Sequence, residues 1–500
     1  MNKFHTKKIN FKSFFSGLKQ NFPLIILALA DVVVFAIPLY MENFIPNIYK
    51  YLGLNASDYS QASATYGFVS IPCFLIGSYV GDKFKSKNLI ILSLILTFLL
   101  GGWYITLPIT STYSSDASIT AIQLNVIFAG FAFSKSGLFW GPLWKVVKNH
   151  RTEDLEGIAR EKKVGQNNGY EGMMNGLIGL TLALFGTLLF QLSDHQLLPN
   201  VMINGRAVDS GFFILVSVYV SLMVVACLLL LKYIKAVQNK PGEMSFSLKS
   251  IYNTLKNYQI WLMAFLVLGV YMLQMGLGSY INYLSNIFLI PALAVMIIGI
   301  FRTYVMRFVM SGWFGKRADK SHSYILWICI GLFIGILLIL IGVVLPGFKN
   351  NFNPKDDPTI GTIVQVVACL NLILLGALTW CLVTIRWSPI GAELNVSNKD
   401  YATGVNIISV IAFTPDAFFK QIKSAIEANH NMPLINPTTG QVTKVADQLG
   451  NQLILTVAIG LGLFGLISGI ILYIILYRKS DKFIFKKFSK HSKDRLQQIK

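Results

Sequence analysis

Charge, and negative charge above all, is what this sequence has least of. Asp, Glu, Lys and Arg make up 13% of its 500 residues, about half the share of an ordinary soluble domain. Basic residues outnumber acidic ones 43 to 23. A chain so poor in charge is not a string of water-soluble domains. Cysteine is also scarce: Cys73, Cys227, Cys329, Cys369 and Cys381 form no Cys-x-x-Cys pair and all fall inside apolar runs. That excludes a disulfide framework and a thiol-held metal, and leaves them as small packing residues. No phosphate-binding glycine loop, no metal-ligand cluster and no nucleophile–base constellation is present, and the longer polar segments show no catalytic pattern. A membrane-embedded enzyme is the remotest of the readings, and neither cofactor nor metal is expected.

What the chain has instead is hydrocarbon. It is 54% hydrophobic, and apolar runs of about 20 residues, long enough to cross a bilayer core, recur from end to end. Twelve spans are predicted, at 22–41, 61–80, 88–108, 121–146, 166–191, 211–234, 259–283, 290–314, 324–347, 361–386, 402–424 and 452–477. With the N-terminus placed in the cytoplasm, 33 of the 43 Lys and Arg fall on inner segments. Seven fall outside (Lys50, Arg206, Lys349, Lys355, Lys420, Lys423, Lys444), and Lys135, Arg302 and Arg307 lie within the membrane. The positive-inside bias therefore puts both termini in the cytoplasm of a multi-pass cell-membrane protein.

The net charge of +20 follows from that topology and from attraction to anionic inner-leaflet lipids, so no nucleic-acid partner is implied. Residues 1–21 read as a basic amphipathic segment, with Phe11, Phe14, Phe15 and Leu18 on one helical face. Residues 478–500 read as a basic cytoplasmic tail. The first apolar run is too long for a signal-peptide core, and no cleavable signal is expected.

The chain also repeats itself. "SYVGDKFKSK" (78–87) and "GKRADKSHSY" (315–324) each place Asp-Lys at the inner end of an even-numbered span, and their aspartates stand 237 residues apart, as do the starts of spans 1 and 7. A period of half the chain means two six-helix bundles, 22–234 and 259–477, joined by the polar linker 235–258. Twelve spans in two halves, with this loop after spans 2 and 8, resemble the major facilitator superfamily of secondary transporters. Of that family's loop motif, Asp82, Lys83 and Lys87 match in the first copy, and Gly315, Asp319 and Lys320 in the second; Ser78 and Lys85 stand where glycines are usual. The resemblance implies an all-α membrane fold and a gating role for Asp82, Lys83, Asp319 and Lys320, with Asp82 facing the N-terminus of span 11.

In such a fold substrate binds at the midplane between the halves. Asp31 in span 1, Lys135 in span 4 and Arg302 in span 8 lie at that depth, and ionisable residues there are candidates for function. Asp31 is the expected partner of Lys135, either as a structural pair or as a coupling carboxylate. Arg302 offers a guanidinium fork for an anion. Trp140, Tyr271, Gln274 and Asn371 are further candidates for substrate contact. In span 5, Gly165, Gly169, Gly172, Gly176 and Gly179 form one small-residue stripe that allows a close helix approach. Glu171 and Arg307 match in depth and are expected to pair as a gate.

The "LFWGPLW" end of span 4 (138–144) and the deep basic residues resemble the organic anion and organophosphate branches. The paired arginines of organophosphate carriers in spans 1 and 7 are absent, as is the Gly-Pro step of drug exporters in span 5. The resemblance implies a monomeric carrier of a small organic anion, carboxylate or phosphorylated. A proton-coupled carrier of a neutral sugar or nucleoside, with Asp31 as the coupling acid, is the alternative.

Overall fold

The computed structural model describes residues 20–113, 117–152, 154–155, 157–234, 252, 255–310, 314, 323–347, 357–394, 401–435 and 442–480. Within them, eleven helices are long and apolar enough to cross a membrane: Phe22–Asn43, Ala56–Gly81, Ser86–Tyr113, Ala117–Val147, Tyr170–Asp194, Ser210–Tyr233, Tyr258–Asn286, Ala292–Met310, Tyr324–Val344, Pro358–Ile390 and Gln448–Tyr477. These are the predicted spans 1–10 and 12. The terminal segments, the core of the linker, and Asp319 and Lys320 lie outside the described residues. Asp82 and Lys83 end the span 2 helix, but their side chains are not among those described.

Span 11 departs from the expected continuous helix. It is split into Tyr401–Ala412, here 11a, and Pro415–Asn429, here 11b. Pro415 is the cause. It has no N–H to donate, and its ring would strike the carbonyl of residue 411 if the helix ran on. The chain turns at Phe413 and Thr414, and proline restarts the helix at a position where a donor is not needed.

The fold is not purely helical either. Two short antiparallel hairpins cap the loops, β1 (Val201–Ile203) with β2 (Arg206–Val208), and β3 (Asn431–Ile435) with β4 (Val442–Ala446). Asn204 and Gly205 turn the first at φ +48° and +74°, the left-handed pair that a two-residue Asn-Gly turn requires.

Three spans widen into π-helix partway across: Ala36–Tyr40 in span 1, Phe133–Phe139 in span 4 and Phe301–Val305 in span 8. Lys135 and Arg302 both sit inside such a segment. Single π turns recur at functional sites.

The apolar core divides into two principal clusters. One is drawn from spans 1–6 together with Met296, Ile300 and Tyr304 of span 8, the other from spans 7–12. The halves meet most tightly at the end bearing Asn47. There the Asn47 backbone N–H donates to Asn282 Oδ1 at 3.0 Å and its side chain exchanges hydrogen bonds with Asn286 at 2.7 and 3.1 Å. Glu42 pairs with Lys420 at 2.9 Å. Ser60 donates to Glu427 at 2.6 Å, and Ser424 to the carbonyl of Ser57 at 2.8 Å. Span 2 and 11b run side by side here because Gly67 has no side chain: a Cβ on it would fall 2.0 Å from the backbone carbon of Asp416.

Candidate functional site

Lys135 enters the interface between the halves from the π segment of span 4 and is buried, at 7% exposure. Its Nζ is surrounded by four rings, at 5.0 Å from the centroid of Phe35, 5.3 Å from Tyr66, 5.4 Å from Phe74 and 6.0 Å from Trp140. Ring faces attract a cation, so an ammonium can be held here without an ion pair. Asp31, the expected partner, is turned elsewhere: its Oδ2 accepts a hydrogen bond from Asn175 of span 5. Lys135 instead lies in the fields of two carboxylates, Asp416 of 11b and Asp31, with neither in an ion pair with it among the described residues.

Asn175 is a bridge. Its amide donates to Asp31, and its Oδ1 accepts from Arg307 Nη1 of span 8 at 2.8 Å. The expected Glu171–Arg307 pair is thereby corrected: Arg307 binds one helical turn further along span 5. Glu171 is fully buried, and neither carboxylate oxygen has a hydrogen-bond partner among the described residues. Arg307 still feels Glu171 and Asp31 through space, and its guanidinium stacks 5.1 Å from the Trp380 ring. The glycine stripe works as anticipated at one point, where a Cβ on Gly179 would strike the ring of Tyr304 in span 8. Asn175→Ala should lower stability by about 1–3 kcal/mol, since it leaves two buried charged groups short of a partner. Thermal unfolding of the purified protein checks this, and an unchanged midpoint would deny the bridge any role.

Arg302 is not free to receive an anion in this conformation. Its Nη2 donates to the carbonyl of Asn43 at 3.0 Å, its backbone carbonyl accepts from Trp380, and Gly376 lets span 10 close against its Cβ. Nε remains buried and has no hydrogen-bond partner among the described residues. Asn371 bonds within its own half, to the carbonyl of Leu338 at 2.9 Å and to Tyr280 at 3.3 Å; it is a helix–helix contact. Trp140 packs on Trp144 and Phe35 and closes the Lys135 cage. Tyr271 donates to Asp416 Oδ1 at 2.6 Å, and Gln274 is half-buried one turn along span 7.

Sequence reasoning passed over three residues. Asp416 announces itself only as an acid after a proline in an apolar run. Asn175 stands four residues from Glu171 and so on the same face. Arg386 is the last residue of the predicted span 10; it closes that span with its guanidinium 5.7 Å from Phe413 and 5.1 Å from Trp387, and its Nε is buried without a partner among the described residues. Phe413, in the break of span 11, is shared by both sides of the interface: it stacks on Phe74 at 6.1 Å and meets Tyr271 edge-on at 4.8 Å.

No family profile matches the chain. Among known proteins it is similar to the Uncharacterized protein MG294 homolog of Mycoplasma pneumoniae, 28% identical over 464 residues that cover 91% of this chain and 92% of the other. It is also similar to the Inner membrane protein YihN of Escherichia coli, at 22% identity covering 79% and 84%. Among solved structures, the nucleoside transporter NupG superposes with a TM-score of 0.58 at 10% identity, covering 91% of this chain and 99% of that one. A bacterial homolog of the lysosomal transporter Spinster, inward-facing and unoccupied, superposes at 0.56 with 12% identity, covering 92% and 98%. The fold is that of the major facilitator transporters, and the chain is a multi-pass membrane protein.

Proposed function

We propose that the protein is a secondary active transporter that carries a small organic anion across the cell membrane by alternating access. The observation that carries this reading is the pair of unmatched cations facing the interface from opposite halves. Lys135 in the first half and Arg386 in the second have no carboxylate within ion-pair distance among the described residues. A cation at this depth costs several kcal/mol unless it meets a partner or water. An anion lodged between the two would supply the countercharge and bridge the bundles, with Arg307, stacked on Trp380, beside it.

In this reading Arg302 acts as a strut to the Asn43 carbonyl, and its part in anion binding, if the carrier opens at that end, begins when the strut breaks. Asn175 and Arg307 hold spans 5 and 8 together in the closed interface. The basic loops assign the termini to the cytoplasm and the Asn47 end to the outside. A neutral sugar or nucleoside would leave Lys135 and Arg386 without countercharge, which favours the anion.

A thermal-shift screen of the purified carrier against carboxylates, phosphorylated metabolites and neutral sugars tests the proposal. A cargo present at about 100 times its Kd should add about 2.7 kcal/mol of stability. Stabilisation by anions, lost in Lys135→Gln, is expected. Stabilisation by neutral sugars alone would sink it.

A further inference from the structure

The N-terminus of 11b brings a carboxylate from the second half to the lysine of the first. Tyr66 and Phe74, two walls of the Lys135 cage, belong to span 2 and lie directly against this region: Gly67 touches the Asp416 backbone, and Phe74 stacks on Phe413 three residues before it. Asp416 is 4% exposed and is oriented by the Tyr271 hydroxyl at 2.6 Å. It lies on the second half, across the interface from the cage.

The same helix closes the Asn47 end. One turn beyond Asp416, Lys420 pairs with Glu42 at 2.9 Å; further on, Ser424 bonds the Ser57 carbonyl and Glu427 accepts from Ser60. All of these lie on one 15-residue helix. Its N-terminal boundary is the break at Phe413–Thr414, where Pro415 has removed the helical hydrogen bond that would tie it to 11a. A rigid rod with a joint at one end moves as a unit, so its carboxylate and its seal contacts shift together.

We propose that Asp416 is the resident carboxylate of the anion site: outside ion-pair distance of Lys135, it faces the cage from the second half and competes there with a cargo carboxylate, and its displacement draws 11b away from the seal. The inference rests on the anion reading and deepens it. The cargo class becomes carboxylates, because the group that stands in for the cargo is one, with Tyr271 as the hydroxyl donor that the two share. It also gives loading a route to the far end of the interface without any contact between cargo and seal.

Two measurements on the full chain test this. In the first, a panel from acetate to citrate is titrated by thermal shift against wild type, Asp416→Asn and Lys135→Gln. Asn still accepts the Tyr271 hydrogen bond, so the variant should fold. With the competing side chain neutral, the best-binding carboxylate should bind Asp416→Asn about tenfold more tightly, as expected if the resident group blocks the site about nine-tenths of the time. Lys135→Gln should bind none.

In the second, the five cysteines are replaced and a single one is placed at Ser57. Its labelling rate by a water-soluble maleimide should rise severalfold in Asp416→Asn, as in Glu42→Gln, which opens the seal directly. If a carboxylate stabilises wild type but binds Asp416→Asn no more tightly, the anion reading stands and the resident carboxylate falls. If labelling rises in Glu42→Gln but not in Asp416→Asn, 11b does not link the two. If only neutral compounds stabilise wild type, both ideas fall together.

Discussion

On the proposed function, Lys135→Gln should reduce transport of the anion by about 100-fold or more while leaving a folded, monodisperse protein. Truncating one side of a buried, hydrogen-bonded charge pair costs about 2–5 kcal/mol, and each 1.4 kcal/mol is a factor of ten. The empty protein should tolerate the change, because Gln removes a desolvated ammonium from among four rings and takes up similar space. Asp31 does not lose a partner, since its hydrogen bond comes from Asn175. Lys135→Arg should restore little: a planar fork does not fit a cage whose ring centroids lie 5.0–6.0 Å from a compact ammonium. Uptake into proteoliposomes, with the anion found by the stability screen, measures both. Wild-type rates in Lys135→Gln would remove the residue from the site.

The second large effect concerns a glycine. Gly67→Ala should destabilise the protein by about 1–3 kcal/mol or more, the range for overpacking a tight contact. The added carbon would land 2.0–2.2 Å from the backbone of Asp416 and Ala417, and backbone cannot swing aside as a flexible side chain can. Span 2 and 11b must then separate, which also carries the Glu42–Lys420 and Ser60–Glu427 contacts apart. Gly102→Ala is the matched control, since nothing lies within 4 Å of a Cβ there, and a helical Gly→Ala change is otherwise favourable by up to about 1 kcal/mol. Thermal unfolding and cysteine labelling at the Asn47 end would report both. Equal midpoints for the two variants would mean that the close approach is not needed.

That a charged residue stands inside a helix bundle was legible from the sequence, and the direction of its side chain was not. Hydropathy placed Asp31, Lys135, Glu171, Arg302 and Arg307 within apolar spans; in the structure the first four are buried and Arg307 is half-buried. Partner choice failed at the π segments and, for Glu171 with Arg307, within α-helix as well. Lys135 and Arg302 stand in π segments, where hydrogen bonds run i to i+5 and a wheel drawn at 100° per residue loses register. Arg302 accordingly points to the Asn43 carbonyl, not to a cargo. Asn175 displaced Glu171 as the partner of Arg307 because an amide can donate to Asp31 and accept from a guanidinium at once, which a carboxylate cannot. Asp416 was hidden in an apolar run read as one helix, although Pro415 marked the break. Arg386 stands at the very end of the predicted span 10, where nothing in the sequence marks it as facing Phe413 across the break in span 11.

The make-up of the seal has an electrical consequence. Its parts are amides (Asn47 with Asn282 and Asn286), hydroxyls, and two ion pairs, Glu42–Lys420 and Lys423–Glu427, each of zero net charge. One elementary charge crossing the full membrane potential exchanges about 2.3 kcal/mol per 100 mV. A closure built from neutral and self-cancelling elements contributes almost nothing to that exchange when it opens. On the proposed function, the voltage dependence of the transport cycle is therefore set away from the seal, by Lys135, the arginines and the anion between them.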